Sequence, residues 1–139
     1  MQCYTPHMAG YSGTPLTKKV GAKPGARALV VGAPPDAPAL FDEGVQVLRR
    51  AAGALDAVVL FVTERRVLER RLPDLRRRLA PTGMLWVAWP KKASGVATDV
   101  TEDVIRDLAV GSTDLVDVKV IAIDETWSGL KLMVRRSAR

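Results

Sequence analysis

Two stretches hold side chains whose types and spacing can do chemistry. In WPKKASG, Lys91 and Lys92 follow an apolar run and lead into Ser94 and Gly95; in DETWSG, Asp124 and Glu125 stand beside Trp127. The lysines supply charge for an anion, and a Ser-Gly turn can turn backbone N–H groups toward it. The two acids add hydrogen-bond acceptors, and the tryptophan offers a flat wall. Such a set suits recognition of an anionic small molecule or an acidic partner segment more than catalysis. His7 is the only histidine and lies near the N-terminus, so Ser-His and Cys-His nucleophile pairs are not available. Asp124 and Glu125 are adjacent and diverge along an extended chain, which makes them a poor acid/base pair. Neither GxxxxGK nor GxGxxG appears, nor any zinc-ligand spacing. No catalytic or metal-binding residue is therefore assigned.

Each candidate also has a plainer role. Lysines beyond a strand are commonly solvated ends. Asp124 and Thr126 can bond neighbouring backbone in a hairpin turn. Trp86 and Trp89 read as packing residues of a covered strand. Trp127, placed in a turn, has the least packing rationale and is the strongest candidate for a ligand wall.

The chain of 139 residues fits one domain and needs no staple. Its single cysteine, Cys3, excludes a disulfide framework and fits a reducing, cytoplasmic location. No apolar run approaches the roughly 20 residues of a membrane span, and MQCYTPHMAG lacks the regions of a signal peptide. Residues 1–10 read as a disordered tail, with Met8 a candidate start, and residues 11–139 as one domain. The formal charge is +6. Its dense part is Arg65, Arg66, Arg70, Arg71, Arg76, Arg77 and Arg78, interleaved with Leu68, Leu72, Leu75 and Leu79 at amphipathic-helix spacing. A solvated helix face explains this pattern. The alternative is an RNA- or ribosome-associated surface through Arg65, Arg66, Arg70 and Arg77, although aromatic stacking residues are missing from it.

The positioning elements follow from periodicity and punctuation. Thr14 before Pro15 predicts a short capped helix over 15–20, ending at Gly21. Ala28–Val31 predicts a strand covered on both faces and central in the sheet. Residues 36–41 form at most a short helix, and GVQVLRR predicts a short edge strand. A second buried strand is predicted over Asp56–Val62. An arginine-rich helix over 64–79 follows, with Pro73 expected to kink or divide it. Pro81-Thr82-Gly83 reads as a turn into a third buried strand, Met84–Trp89. Asp99 with Glu102 has the form of a capping box for a helix through Leu108. A terminal hairpin pairs 115–123 with 130–136.

Alternating strands and helices predict a small Rossmann-like α/β fold: a mainly parallel sheet, helices on both faces, and a C-terminal antiparallel hairpin. This plan resembles a shortened class I methyltransferase-like fold, with GAPPDAP in place of the glycine-rich first loop. That resemblance implies S-adenosylmethionine at Gly32 and Ala33, though no acid is clearly placed at the end of a second strand to hold a ribose. GYSGTPL, VLFV, WPKKASG with TDVTED, and IDETWSGLKL together resemble a bacterial domain family of unknown function, which implies a fold and no particular activity. Ligands of open α/β sheets bind beyond the carboxyl ends of the strands, so Lys91, Lys92, Ser94, Gly95, Asp124, Glu125 and Trp127 are expected to share one rim. The leading expectation is a non-catalytic binding or regulatory module, monomeric or paired through an edge strand. A methyltransferase-like enzyme and a basic RNA-associated protein are the alternatives.

Overall fold

The computed structural model describes residues 13–139, so the expectations on the N-terminal tail, Met8, Cys3 and His7 lie outside the described residues. The elements are α1 (Leu16–Val20), β1 (Arg27–Val31), β2 (Gln46–Leu48), β3 (Leu55–Phe61), α2 (Arg65–Arg78), β4 (Leu79–Pro90), α3 (Glu102–Ser112), β5 (Leu115–Ala122) and β6 (Trp127–Val134). Short 3-10 turns cover Lys92–Ser94 and Arg136–Ala138. The strands form a single six-stranded sheet in the order β2-β1-β3-β4-β6-β5. Pairings β1–β2, β1–β3 and β3–β4 are parallel, while β6 runs antiparallel to both of its neighbours. The Rossmann-like α/β plan with an antiparallel C-terminal hairpin is thus observed.

The central strands are β3 and β4. Strand β1 lies one place from the edge, which corrects its expected central position: a continuous apolar run reports cover on both faces, and that condition also holds for the second strand of a sheet. Val58, Leu60, Leu85 and Val87 point into a core closed by Leu68, Leu72 and Leu75 of α2 and Ile105 and Ala109 of α3. Their alternate neighbours Val59, Phe61, Trp86 and Ala88 point to the other face, against Val20 of α1 and Leu40. Period-2 alternation between two covered faces is what makes LDAVVLF read as uniformly apolar. Trp86 also donates its indole N–H to the Val20 carbonyl at 3.2 Å, so its polar atom is satisfied in the interior.

Several local expectations change. Pro15, not Thr14, occupies the N-cap of α1, while Gly21 closes the helix in the left-handed conformation (φ 80°). Residues 36–41 form no helix; the crossover from β1 to β2 is irregular, with Ala37, Leu40 and Phe41 packed on the α1 face. Strand β2 is the short edge strand expected of GVQVLRR. Helix α2 runs unbroken through Pro73, which is exposed while Leu68, Leu72 and Leu75 remain buried on the opposite side. Burial of that leucine stripe outweighs one missing hydrogen bond. Pro81-Thr82-Gly83 lies within β4 as a bulge: the pairing steps from Leu55↔Leu79 to Ala57↔Met84, so extra residues loop out of β4. Gly83 is required there, since a Cβ would stand 2.7 Å from the Leu55 carbonyl oxygen.

Candidate functional site

The carboxyl ends of the parallel strands and the start of β6 meet along one edge. Pro90 pairs with Trp127, the Lys91 N–H donates to the Thr126 carbonyl at 2.7 Å, and the Lys91 ammonium donates to the Asp124 carbonyl, also at 2.7 Å. The lysine loop and the DETWSG hairpin are therefore neighbours, as the strand assignment implied. Their side chains are largely committed to holding each other. Lys91 is tied to the hairpin turn. Ser94 donates its hydroxyl to the Lys91 carbonyl at 2.6 Å and accepts the Val96 N–H at 3.2 Å, closing its own turn. Gly95 ends that turn at φ 77°, with open space where a Cβ would sit. One Asp124 carboxylate oxygen accepts the N–H groups of Thr126 and Trp127, both at 2.8 Å, shaping the turn from within.

Trp127 packs edge-on against Phe61, with ring centroids 5.1 Å apart and planes at 82°. The expected lack of a packing role is corrected: β6 begins at Trp127 itself, which places the ring over the end of β3 rather than on an open turn. Lys92 and Glu125 remain exposed at the same edge. Glu125 borders a cleft of about 440 Å³ between α1 and the hairpin, lined also by Pro15, Leu16, Pro38, Ala39 and Ile123.

Asp99 does not cap the helix that follows it. Thr101 is the N-cap of α3, its hydroxyl accepting the Val104 N–H at 3.2 Å. The Asp99 carboxylate instead accepts the Arg65 N–H at 2.6 Å, at the first turn of α2. Beside it, Thr98 donates its hydroxyl to the Thr63 carbonyl at 2.7 Å. The loop after β4 is thus latched onto the β3–α2 junction. A capping pattern read along the chain cannot distinguish a helix two residues away from one brought near by the sheet.

The second feature of this edge is a topological switch. The β1–β2 crossover leaves over the α1 face, whereas β3 leads into α2 on the other face. In open α/β sheets such a divergence is where ligands bind. Gly32 lies at the divergence at φ 73°, packed so closely on β3 that a Cβ there would stand 2.7 Å from the Phe61 carbonyl oxygen. Only glycine permits both that conformation and that approach. Ala33 and Asp36 are exposed in the same turn, and Glu64 follows β3 as the N-cap residue of α2. The end of β2 carries Arg49 and Arg50, both exposed.

Perturbed titrations lie away from this edge. Asp114 is held below the usual carboxylate range, chiefly by hydrogen bonds from the Arg76 guanidinium, and Asp117 chiefly by Arg106. Arg106 also bonds Glu102 and Asp103 within α3, and its pair with Asp117 ties α3 to β5. Burial, with Lys119 nearby, pushes the Lys131 ammonium below its ordinary value on the sheet face beside Trp86. Several arginines of the helix are ion-paired: Arg65 pairs with Glu69, Arg66 with Glu64, and Arg77 and Arg78 share Asp74. Of the four arginines expected for a nucleic-acid surface, Arg70 is the one without an ion pair among the described residues. Arg49, Arg50 and Arg71 also lack one, and the sequence reading had not grouped them. The available signal was the Arg-Arg pair directly after a predicted strand.

No protein-family model and no curated protein matches the chain. Solved structures do. A SAM-dependent methyltransferase from Aquifex aeolicus superposes with a TM-score of 0.56 at 14% identity, covering 84% of this chain and 86% of its own. The ribosomal protein L11 methylase of Lactobacillus delbrueckii subsp. bulgaricus gives 0.54 at 11%, covering 86% and 75%. A putative methyltransferase from Thermoplasma acidophilum gives 0.54 at 11%, covering 98% and 77%. These neighbours overturn the leading expectation of a non-catalytic binding or regulatory module, because they favour the methyltransferase-like alternative. At such identities the likeness is one of architecture: the chain has the Rossmann-like α/β fold that these methyltransferases share.

Proposed function

We propose that the protein is a methyltransferase-like enzyme that takes S-adenosylmethionine at the switch point beyond the ends of β1 and β3. The observation that carries this reading is the switch point at Gly32 and Phe61, on a sheet whose course is matched by methyltransferases over most of both chains. The turn from Gly32 through Ala33 to Pro35 would face the cofactor with backbone. Asp36 in that turn and Glu64 after β3, one of whose oxygens already accepts from Arg66 at 2.9 Å, are the carboxylates placed to accept ribose hydroxyls. The end of β2, where Rossmann folds commonly place such an acid, carries Arg49 and Arg50 here, so Asp36 and Glu64 take that role in this reading. The bound cofactor would supply an electrophilic methyl group on a sulfonium. Lys92 and Glu125 are exposed charged groups at the far side of the rim and are the candidates to orient an acceptor. A cytoplasmic location, in keeping with one cysteine in 139 residues, belongs to the same reading.

Calorimetric titration with S-adenosylmethionine and S-adenosylhomocysteine tests it. Saturable binding is expected, weakened about tenfold by the exposed double substitution Asp36→Asn with Glu64→Gln, since each loses a charge-assisted hydrogen bond. Absence of heat with both compounds at millimolar concentration would overturn the reading.

A further inference from the structure

We infer that Arg49, Arg50 and Arg71, with Arg78, form a docking groove for the phosphodiester backbone of a nucleic-acid strand. The groove exists because the crossover from β2 to β3, residues 49–54, is too short to include a helix. It passes over β1 as bare chain and covers the α2 side of that strand incompletely: Leu29 is buried, while Val31 at the strand end is half-buried. The resulting depression, about 380 Å³, is lined by Val31, Leu75 and the four arginines, and it reaches Gly32, so it adjoins the proposed cofactor site. The crossover is pinned in place. The Arg27 guanidinium donates to the Ala52 carbonyl, and Gly53 turns at φ 66° directly against that guanidinium. Arg49 and Arg50 therefore project from a fixed segment.

The charge of the groove is unbalanced. Its one acid, Asp74, already pairs with Arg77 and Arg78. Among the described residues Arg49, Arg50 and Arg71 have no ion-pair partner, and all three are exposed. Like charges gathered around one depression favour an anion. Exposed arginines hold a single phosphate weakly in physiological salt, because screening is short-ranged and strong. A polymeric phosphate gains instead from the release of its condensed counterions at every contact. No aromatic side chain lines the groove, so it offers contacts to backbone phosphates and no stacking platform for bases.

Fluorescence anisotropy with labelled oligouridine and oligothymidine of equal length, over a salt series, tests the inference without any methyl donor. Its failure and that of the cofactor reading are thus separable. Affinity is expected to fall with salt and to be similar for the two polymers. The triple substitution Arg49→Ala, Arg50→Ala, Arg71→Ala should weaken binding by about tenfold or more and reduce the logarithmic salt slope by about 2. The triple Arg65→Ala, Arg66→Ala, Arg77→Ala removes the same formal charge from ion-paired positions and should stay within about threefold of wild type. All six positions are exposed, and circular dichroism confirms the fold of each variant. Undetectable binding at low salt, or equal losses in both triples, would overturn the inference.

Discussion

The Asp99 carboxylate lies 2.6 Å from the backbone nitrogen of Arg65 and caps α2 from a loop that follows β4. A negative side chain at the first turn of a helix satisfies an orphan N–H and complements the positive end of the dipole. It also joins two of the connections that make up the candidate functional edge.

Asp99→Ala should lower stability by about 1 kcal/mol, the usual cost of a lost cap, while Asp99→Asn should recover most of it. Thr101→Ala should cost a similar amount through α3. Urea denaturation measures both, and an Asp99→Ala protein as stable as wild type would show that the latch contributes nothing.

Gly32→Ala should be the more damaging of two glycine substitutions. At Gly32 the added Cβ meets both positive φ and the Phe61 carbonyl oxygen, whereas at Gly95 it meets positive φ in open space. We expect Gly95→Ala to cost about 1 kcal/mol and Gly32→Ala about 2–3 kcal/mol. Paired thermal melts would decide; equal midpoints would remove the close approach as a constraint.

Lys91→Met should loosen the hairpin rather than a ligand. The ammonium holds the Asp124 carbonyl, and its loss leaves that carbonyl without the side-chain donor. Faster amide exchange at Trp127, with S-adenosylmethionine affinity unchanged, is the expected pattern. A loss of ligand affinity with unchanged exchange would reassign Lys91 to the site.

Acid should destabilise the edge of the sheet at β5. Asp114 and Asp117 both have folded values lowered by arginine partners. A lowered carboxylate contributes stability that is present above its unfolded value near 4 and is lost as pH falls through the folded value. The decline should therefore begin at about pH 4 and continue downward. Asp114→Asn should flatten it and weaken the protein near neutrality. Denaturation midpoints from pH 2 to 7 check the sign, and a decline unchanged in Asp114→Asn would exclude that carboxylate as a cause.

Much of the architecture was legible from local pattern. DAVVLFV and MLWVAW read as doubly covered strands because β3 and β4 are walled on both faces. The leucine stripe read as a helix because Leu68, Leu72 and Leu75 bury one side of α2, although Leu79, counted with them, already opens β4. GVQVLRR read as a short edge strand because alternation acts over a few residues, whereas in DETWSG only Asp124, Glu125 and Thr126 form the turn, and Trp127, Ser128 and Gly129 already pair in β6. The neighbourhood of the lysine loop and the hairpin followed once those strands were assigned.

Contacts between distant segments were beyond that reading. Whether Asp99 caps its own helix or α2, whether Lys91 faces a ligand or the Asp124 carbonyl, and whether Trp127 stands free or against Phe61 depend on which strands become neighbours. The order β2-β1-β3-β4-β6-β5 decides this, and with it which arginines find acids and which are left facing an open groove. Residue type and spacing set each segment's own preference; the identity of its neighbours arises only when the burial of both sheet faces selects one arrangement of the whole.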